Sequence, residues 1–282
     1  MVEEKKHDNR ILAFDLVAFD LDGTLLDRDL TITEASVAVL QRLRERGVRL
    51  VIATGRPFET AREHAGRLGF GDEDPVICYG GSMVRRMNGE TLLHHTICRE
   101  ASLEALLWAE ERGLHARILL DGEILVSPEP RTVLERMRAQ EGIGVSVVGS
   151  LSEWLRDGGG EPTKLVLVDR PDEVSVWLRE AQEAFAGRLF VTRSLPHYVE
   201  IGSPRGTKSG GLEFLCGHWG LDPERTLAFG DADNDADMLR FAGHGVAVGG
   251  MTEGVRQASD VVARPVGEDG VARYVEKLLG DG

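Results

Sequence analysis

The sequence predicts an α/β fold, with a parallel sheet flanked by helices on both faces and an α+β segment inserted into it. Three observations predict it. Apolar runs of strand length alternate with amphipathic stretches near both ends of the chain. That alternation breaks at about residue 83 and returns after about residue 203. Several apolar runs end in carboxylates, hydroxyls or glycines, and the carboxyl ends of strands are where open α/β sheets bind ligands.

Residues 1–11 are charged, lack the apolar core of a secretory signal and are expected to form a disordered tail. The first strand is Leu16, Val17 and Ala18, running into Phe19-Asp20-Leu21-Asp22-Gly23-Thr24. Side chains alternate along a strand, so Asp20 and Asp22 would share a face if it continued, but Gly23 permits a sharp turn. Two carboxylates this close repel, so the pair needs a cation, a proton or both. One can then act as nucleophile while the other carries a proton. Thr33 suits the N-cap of a helix with Val37, Leu40 and Leu43 on one face, and Gly47 ends it. Val48 to Ala53 is the next strand, ending in Thr54-Gly55-Arg56. Glu59 to Leu68 reads as a helix closed by Gly69, and Val76 to Tyr79 as a third strand. Short connections between such elements imply parallel strands and right-handed crossovers.

Residues 83–203 read as the inserted α+β unit, and residues 12–82 with 204–282 as the core. Within the insertion, His115 to Leu120 and Glu123 to Val126 flank Asp121-Gly122, a hairpin-type turn. Helical patterns cover Arg99 to Arg112, Arg131 to Gln140 and Asp172 to Ala186, with strands at Leu165 to Val168 and Leu189 to Thr192. Gly80-Gly81 and the stretch from Gly202 to Gly206 mark the two exits, where glycine can absorb dihedral change. Lys208 then stands just before a helix from Ser209 to Trp219, and Leu227 to Phe229 lead into Gly230-Asp231-Ala232-Asp233-Asn234-Asp235. A helix from Asp235 to Ala242, a strand from Gly245 to Val248 and a helix from Val271 to Leu279 complete the chain.

Composition narrows the function. The chain has 282 residues, 42% of them hydrophobic, enough for a substantial core. A net charge of -14 argues against a nucleic-acid partner, since such proteins show a basic face. It would also oppose an anionic substrate, so local cations must reverse the field in the cleft. No uninterrupted apolar run reaches the ~20 residues a membrane span needs. Cys78, Cys98 and Cys216 are scattered and odd in number, as suits a reduced, cytoplasmic setting. Only five lysines occur, Lys5, Lys6, Lys164, Lys208 and Lys277, which makes Lys208 stand out.

The motifs Asp20-x-Asp22-Gly23-Thr24, Thr54-Gly55-Arg56, Lys208 and Gly230-Asp231-x-x-Asn234-Asp235 stand in an order that resembles the haloacid dehalogenase-like phosphohydrolase superfamily. The resemblance is to its Cof-type branch and extends from about Leu16 over nearly the whole chain. It implies a Rossmann-like core with an α+β cap, and a Mg²⁺-dependent phosphatase acting on a small phosphorylated metabolite. It further implies that Asp20 is the nucleophile and Asp22 the proton shuttle. Asp20, the Asp22 backbone carbonyl and Asp231 would hold Mg²⁺, with Asp235 supporting them. Thr54, Gly55, Lys208 and Asn234 would bind the phosphoryl group, and Arg56 and Gly81 would touch substrate. Gly80 stands where the branch usually has Asn. Arg56, Arg85, Arg193 and His197 are candidates for substrate contacts, with a solvated role the favoured reading for each. A phosphomutase and a non-catalytic phosphometabolite-binding protein are the alternative functions.

Overall fold

The computed structural model describes residues 13–27 and 29–280. The expected disordered tail at residues 1–11 lies outside the described residues. The chain opens with β1 (Leu16–Phe19), α1 (Glu34–Glu45), β2 (Arg49–Ala53), α2 (Phe58–Arg67) and β3 (Pro75–Cys78). Thr33 caps α1 by accepting from the Ser36 amide, and Val39, Leu40 and Leu43 turn inward. Next come β4 (Met83–Arg86), β5 (Thr91–His94), α3 (Arg99–Glu111), β6 (His115–Leu120) and β7 (Glu123–Val126). The middle continues through α4 (Arg131–Glu141), β8 (Gly144–Val147), α5 (Leu151–Arg156), β9 (Lys164–Val168), α6 (Pro171–Ala184), β10 (Phe190–Thr192) and β11 (Tyr198–Gly202). The last part is α7 (Lys208–Trp219), β12 (Thr226–Gly230), α8 (Ala236–Phe241), β13 (His244–Gly249), α9 (Glu253–Ala258), β14 (Val261–Pro265) and α10 (Gly270–Leu279).

Two sheets result. The first has the order β14-β13-β12-β1-β2-β3-β4-β5 and is parallel from β14 to β3. β4 and β5 join it antiparallel. The expected start of the insertion at residue 83 is therefore one hairpin too early. The Gly80-Gly81 turn is tight enough to fold the chain straight back onto β3, so Met83 to His94 extends the first sheet. The second sheet has the order β10-β11-β9-β6-β7-β8 and draws only on residues 115–202. No helix among the described residues is long and apolar enough to cross a membrane.

The central strands of the first sheet are apolar on both faces, as helix-covered parallel strands are. β1 lies between β2 and β12, so the chain leaves it toward one edge and returns on its other side. Such a reversal of strand order leaves a crevice at the carboxyl ends of the strands. The second sheet is buried on both faces: Leu119, Ile124, Val126, Val145 and Val166 cluster with Met137 of α4 on one side, and the other side packs against α3, α5 and α6. Ile118, Leu125, Leu165, Leu167, Val199 and Ile201 pack there with Leu106 and Phe185. Its other face is turned toward the crevice.

Candidate active site

The register fixes which residues meet. Phe19 pairs with Phe229 and with Ile52, so Asp20, Asp231 and Thr54 leave the sheet at one edge from three adjacent strands. Asp20 is buried, and its amide donates to the Phe229 carbonyl at 3.0 Å. Gly23 has φ +84°, and a Cβ on it would stand 2.3 Å from Asp231 Oδ2. The turn after Asp22 thus requires glycine both for its backbone conformation and for the close approach of Asp231. Thr24 Oγ1 donates to Asp231 Oδ1 at 2.9 Å, tying the first and last motifs together.

Lys208 is fully buried at the start of α7, which Thr207 caps by accepting from the Gly210 amide. Its ammonium donates to Asp20 Oδ1 and Asp235 Oδ1. Burial alone would lower the Lys208 pKa, but the Asp20 and Asp235 carboxylates outweigh it and hold the amine protonated. Burial pushes Asp20 well above the ordinary carboxyl range; Lys208 opposes this, while Asp235 and Asp231 add to it. Burial also lifts Asp231 to about 7, with Asp235 contributing and the Thr24 hydrogen bond resisting.

A hard cation fits this cluster. Asp20, Asp231 and Asp235 each offer an oxygen, all within 4.8 Å of one another. Three carboxylates face the one ammonium of Lys208, so the site carries excess negative charge that a divalent ion would offset. Asp235 is the most committed of the three. One of its oxygens takes Lys208, and the other accepts the amides of Asp231 at 3.0 Å and Ala232 at 2.9 Å. That leaves Asp20 and Asp231 as the better ligands and Asp235 as their brace.

Other expected residues are placed as follows. Arg56 donates to Asp22 through Nε at 2.8 Å and Nη2 at 2.6 Å, a bidentate grip on the second carboxylate. Asp22 and Arg56 both line the cleft. Thr54 is buried, and its hydroxyl accepts from the Arg56 amide at 3.2 Å. Asn234 is buried and lines the cleft, with no hydrogen-bond partner on Oδ1. Lys208 therefore takes its orientation from Asp20 and Asp235, not from Asn234. Gly81 is not a cleft residue. With φ +104°, it lies where a Cβ would be 1.9 Å from the Thr207 carbonyl oxygen, so it lets the segment before Lys208 pack against the end of β3. Arg85 pairs with Asp121 and Arg193 with Asp233, bridging the two halves of the molecule, whereas His197 lines the cleft.

The cleft encloses about 540 Å³. It contains residues that no motif marked. Arg117, Leu119, Ile124, Lys164, Val166, Tyr198 and Glu200 all reach it from one face of the second sheet. Period-2 alternation puts Arg117 with Leu119, Lys164 with Val166 and Tyr198 with Glu200 on one side of each strand, but only pairing could show that these sides form one face and meet the crevice. Lys164 and Glu200 are both buried there, with Nζ 3.0 Å from Glu200 Oε1 and 3.1 Å from the Gly55 carbonyl oxygen.

Comparison with known proteins agrees with this geometry. A model of the haloacid dehalogenase-like hydrolase family matches residues 17–275. A 5-amino-6-(5-phospho-D-ribitylamino)uracil phosphatase of Bacillus subtilis is 29% identical over 272 residues, covering 94% of this chain and 97% of its own. A phosphoglycolate phosphatase of Methanopyrus kandleri is 30% identical over 264 residues, covering 94% and 97%. Among solved structures, a haloacid dehalogenase-like hydrolase from B. subtilis superposes with a TM-score of 0.82 at 24% identity, covering 93% of this chain and 99% of its own. The match runs from the strand that delivers Asp20 to the closing helix, and this chain belongs to the haloacid dehalogenase-like hydrolases, in their Cof-type branch, as a phosphatase.

Proposed function

We propose that the protein hydrolyses small phosphomonoesters in a Mg²⁺-dependent reaction through an aspartyl-phosphate on Asp20. The observation that carries this reading is the convergence of Asp20, Asp231, Asp235 and Lys208, from three distant stretches of chain, at one sheet edge. Asp20 attacks phosphorus, its carboxylate–phosphorus bond forms, and the ester P–O bond breaks. Asp22 gives a proton to the departing alcohol and later takes one from the water that hydrolyses the acyl phosphate. Arg56 sets the position from which Asp22 does this, because it holds both carboxylate oxygens. Lys208 offsets the charge of Asp20 and of the incoming phosphoryl group, and Thr54, Gly55 and Asn234 line the remainder of the phosphoryl site. Asp20, Asp231 and the Asp22 carbonyl would hold Mg²⁺, which would supply positive charge against the phosphoryl oxygens. The unpaired cysteines Cys78, Cys98 and Cys216 fit a reduced compartment such as the cytoplasm.

The substrates named for the relatives, a ribitylaminouracil phosphate and phosphoglycolate, are both small phosphate esters, which supports the class and leaves the member open. The test is phosphate release by the purified protein from a panel of phosphomonoesters with Mg²⁺. Excess chelator should stop release, Mg²⁺ should restore it, and Ca²⁺ should restore it poorly because its larger, looser shell misplaces the attacking oxygen. Full activity in chelator would overturn the metal assignment. Isomerised sugar phosphate without free phosphate would make the protein a mutase.

A further inference from the structure

The second half spans the crevice like a bridge fastened at two ends, and the ends differ in chemistry. β8 and β10 are the opposite edges of its sheet, and strand spacing puts them about 24 Å apart. The β7–β8 end is apolar. Met137, Ile143 and Val145 belong to one continuous cluster with Phe58, Ala61 and Tyr79 of the first half. Gly142 lies where a Cβ would be 2.6 Å from Thr60 Cγ2. The Gly122 amide donates to the Tyr79 hydroxyl at 3.0 Å, and Arg85 grips Asp121 beside it. This end cannot lift without exposing apolar surface, which is unfavourable in water. The remaining links are polar. Lys164 and Glu200 form a polar corner on the middle strands, where Lys164 donates to the Gly55 carbonyl at 3.1 Å. At the β10 edge, Arg193 donates to Asp233 Oδ2 through Nε at 3.2 Å and Nη2 at 2.8 Å. Both side chains of this pair are partly exposed, and such an ion pair is easily parted in water. A tilt about the apolar end therefore opens the cleft at Arg193 and Asp233.

That pair stands where the reacting groups are arranged. Ser194 and Leu195, just after Arg193, line the cleft, and so do Ala232 and Asn234 on either side of Asp233. Arg193 is also held from its own half, with Nη1 3.5 Å from Ser175 Oγ of α6. Asp233 begins the short 3₁₀ turn Asp233–Asp235. Asp235 pins the inner side of that turn, since its Oδ2 accepts the amides of Asp231 and Ala232 while its Oδ1 takes Lys208. Asn234 sits between Asp233 and Asp235. It is buried, and its Oδ1 has no hydrogen-bond partner among the described residues. With no bond to fix that oxygen, Asn234 takes its direction from the backbone of the turn. Two anchors set that backbone: Asp235 within the first half, and Arg193, through Asp233, from the second.

Building on the phosphatase reading above, we propose that Arg193 is a positioning residue for Asn234. It touches no reacting atom. By gripping Asp233 it completes the phosphoryl site only while the second half lies closed over the cleft. The phosphoryl group is common to every substrate, so the effect falls on turnover and is shared by all of them. The experiment measures kcat and KM, with Mg²⁺, for each ester that the wild type hydrolyses. Arg193→Ala should lower kcat by about tenfold or more while KM stays within about threefold, because a displaced phosphoryl contact slows the reaction and the walls of the cleft are untouched. Arg193→Lys, which keeps the charge and a donor, should fall between the wild type and Arg193→Ala. Asp233→Ala should match Arg193→Ala, and the double variant should lose no more than either, since the two act as one unit. A bridge that served stability alone would lower Tm and leave kcat in place. A kcat within about twofold of the wild type in Arg193→Ala, or a double variant whose loss is the product of the single losses, would overturn the proposal. Hydrogen exchange gives a readout that needs no turnover. Arg193→Ala should speed exchange in residues 231–235 and leave the Asp121-Gly122 hairpin as it is, and unchanged exchange at 231–235 would overturn the proposal. If the wild type hydrolyses no ester, the phosphatase reading fails. Hydrogen exchange then decides the hold of Arg193 on the loop alone: faster exchange at 231–235 sustains it, and unchanged exchange overturns it.

Discussion

Two buried lysines divide the work of this molecule between its halves. Lys208 sits between Asp20 and Asp235, and all three belong to the first sheet and its loops. Lys164 sits between Glu200 on the second sheet and the Gly55 carbonyl on the first, so its bonds span the two halves. Opening the cleft must break the Lys164–Gly55 bond and leaves the Lys208 cluster intact. The first lysine is held within one half of the molecule, and the second ties the two halves together. On the proposed phosphatase reading, a lysine with its partners in the first half would serve the reaction and one with partners across the halves would serve recognition.

The sharpest way to break this comparison is at the nucleophile. Asp20→Asn keeps the shape and the Lys208 contact but removes the attacking carboxylate. Turnover should fall on the order of 10⁴-fold or more for every substrate. Phosphate release alongside a circular dichroism spectrum checks this, and a folded variant that keeps substantial activity would remove Asp20 from its role.

Next in size is Lys208→Ala. It strands Asp20 and Asp235 in the interior without their counter-charge, and losing one partner of a buried pair costs about 3–5 kcal/mol. Urea unfolding should show that loss, and any activity that survives should drop for all substrates together. A re-ranking of substrates by Lys208→Ala would contradict the division of labour.

Lys164→Met should do the reverse. The loss of the buried ammonium and of its bond to Gly55 at the cleft wall should change relative kcat/KM values between substrates by about 1–3 kcal/mol. The corresponding panel for Glu200→Gln should shift in the same direction, since both residues serve one corner. An unchanged ranking in both variants would return Lys164 and Glu200 to a purely structural role.

The smallest effect is expected where β5 meets the second half. His94 Nε2 lies 2.9 Å from Thr163 Oγ1, just before β9. Burial lowers the His94 pKa below its ordinary value, and Arg85 reinforces this against Asp121. The folded protein therefore binds this proton less readily than the unfolded chain does. The stability contributed by neutral His94 is complete above the unfolded value of about 6.5 and is lost as pH falls through the folded one. With the ring half-exposed, the loss should stay below ~1 kcal/mol. Chemical denaturation between pH 7 and pH 5 should show a slope that His94→Gln reduces.

Much of the first half of this account was legible in the sequence. Thr33 as a cap, the apolar runs before Asp20, Thr54 and Asp231, and the Asp121-Gly122 hairpin are local signals, and each formed where the chain chemistry placed it. The hairpin from Met83 to His94 and the close packing of Gly81 were not foreseen, because they depend on β3 and on Thr207, which approach from elsewhere in the chain. Arg56 gave no local sign that it would grip Asp22, since a guanidinium at a strand end reads the same whether it meets solvent or a carboxylate.

By itself, then, the sequence determined the fold class and most elements of the first sheet in their order, and it marked the carboxylates and the lysine that converge at the sheet edge. Strand and helix periodicity are short-range, and the chemistry of phosphoryl transfer tolerates few residue types at a strand end. Only the tertiary structure decided that Lys164, Val166, Leu119, Tyr198 and Glu200 form the other wall of the cleft. Alternation along a strand assigns a residue to one of two faces but does not say which face meets the site. That choice rests on register and on how one sheet packs over the other, and both are set by contacts between residues far apart in the chain.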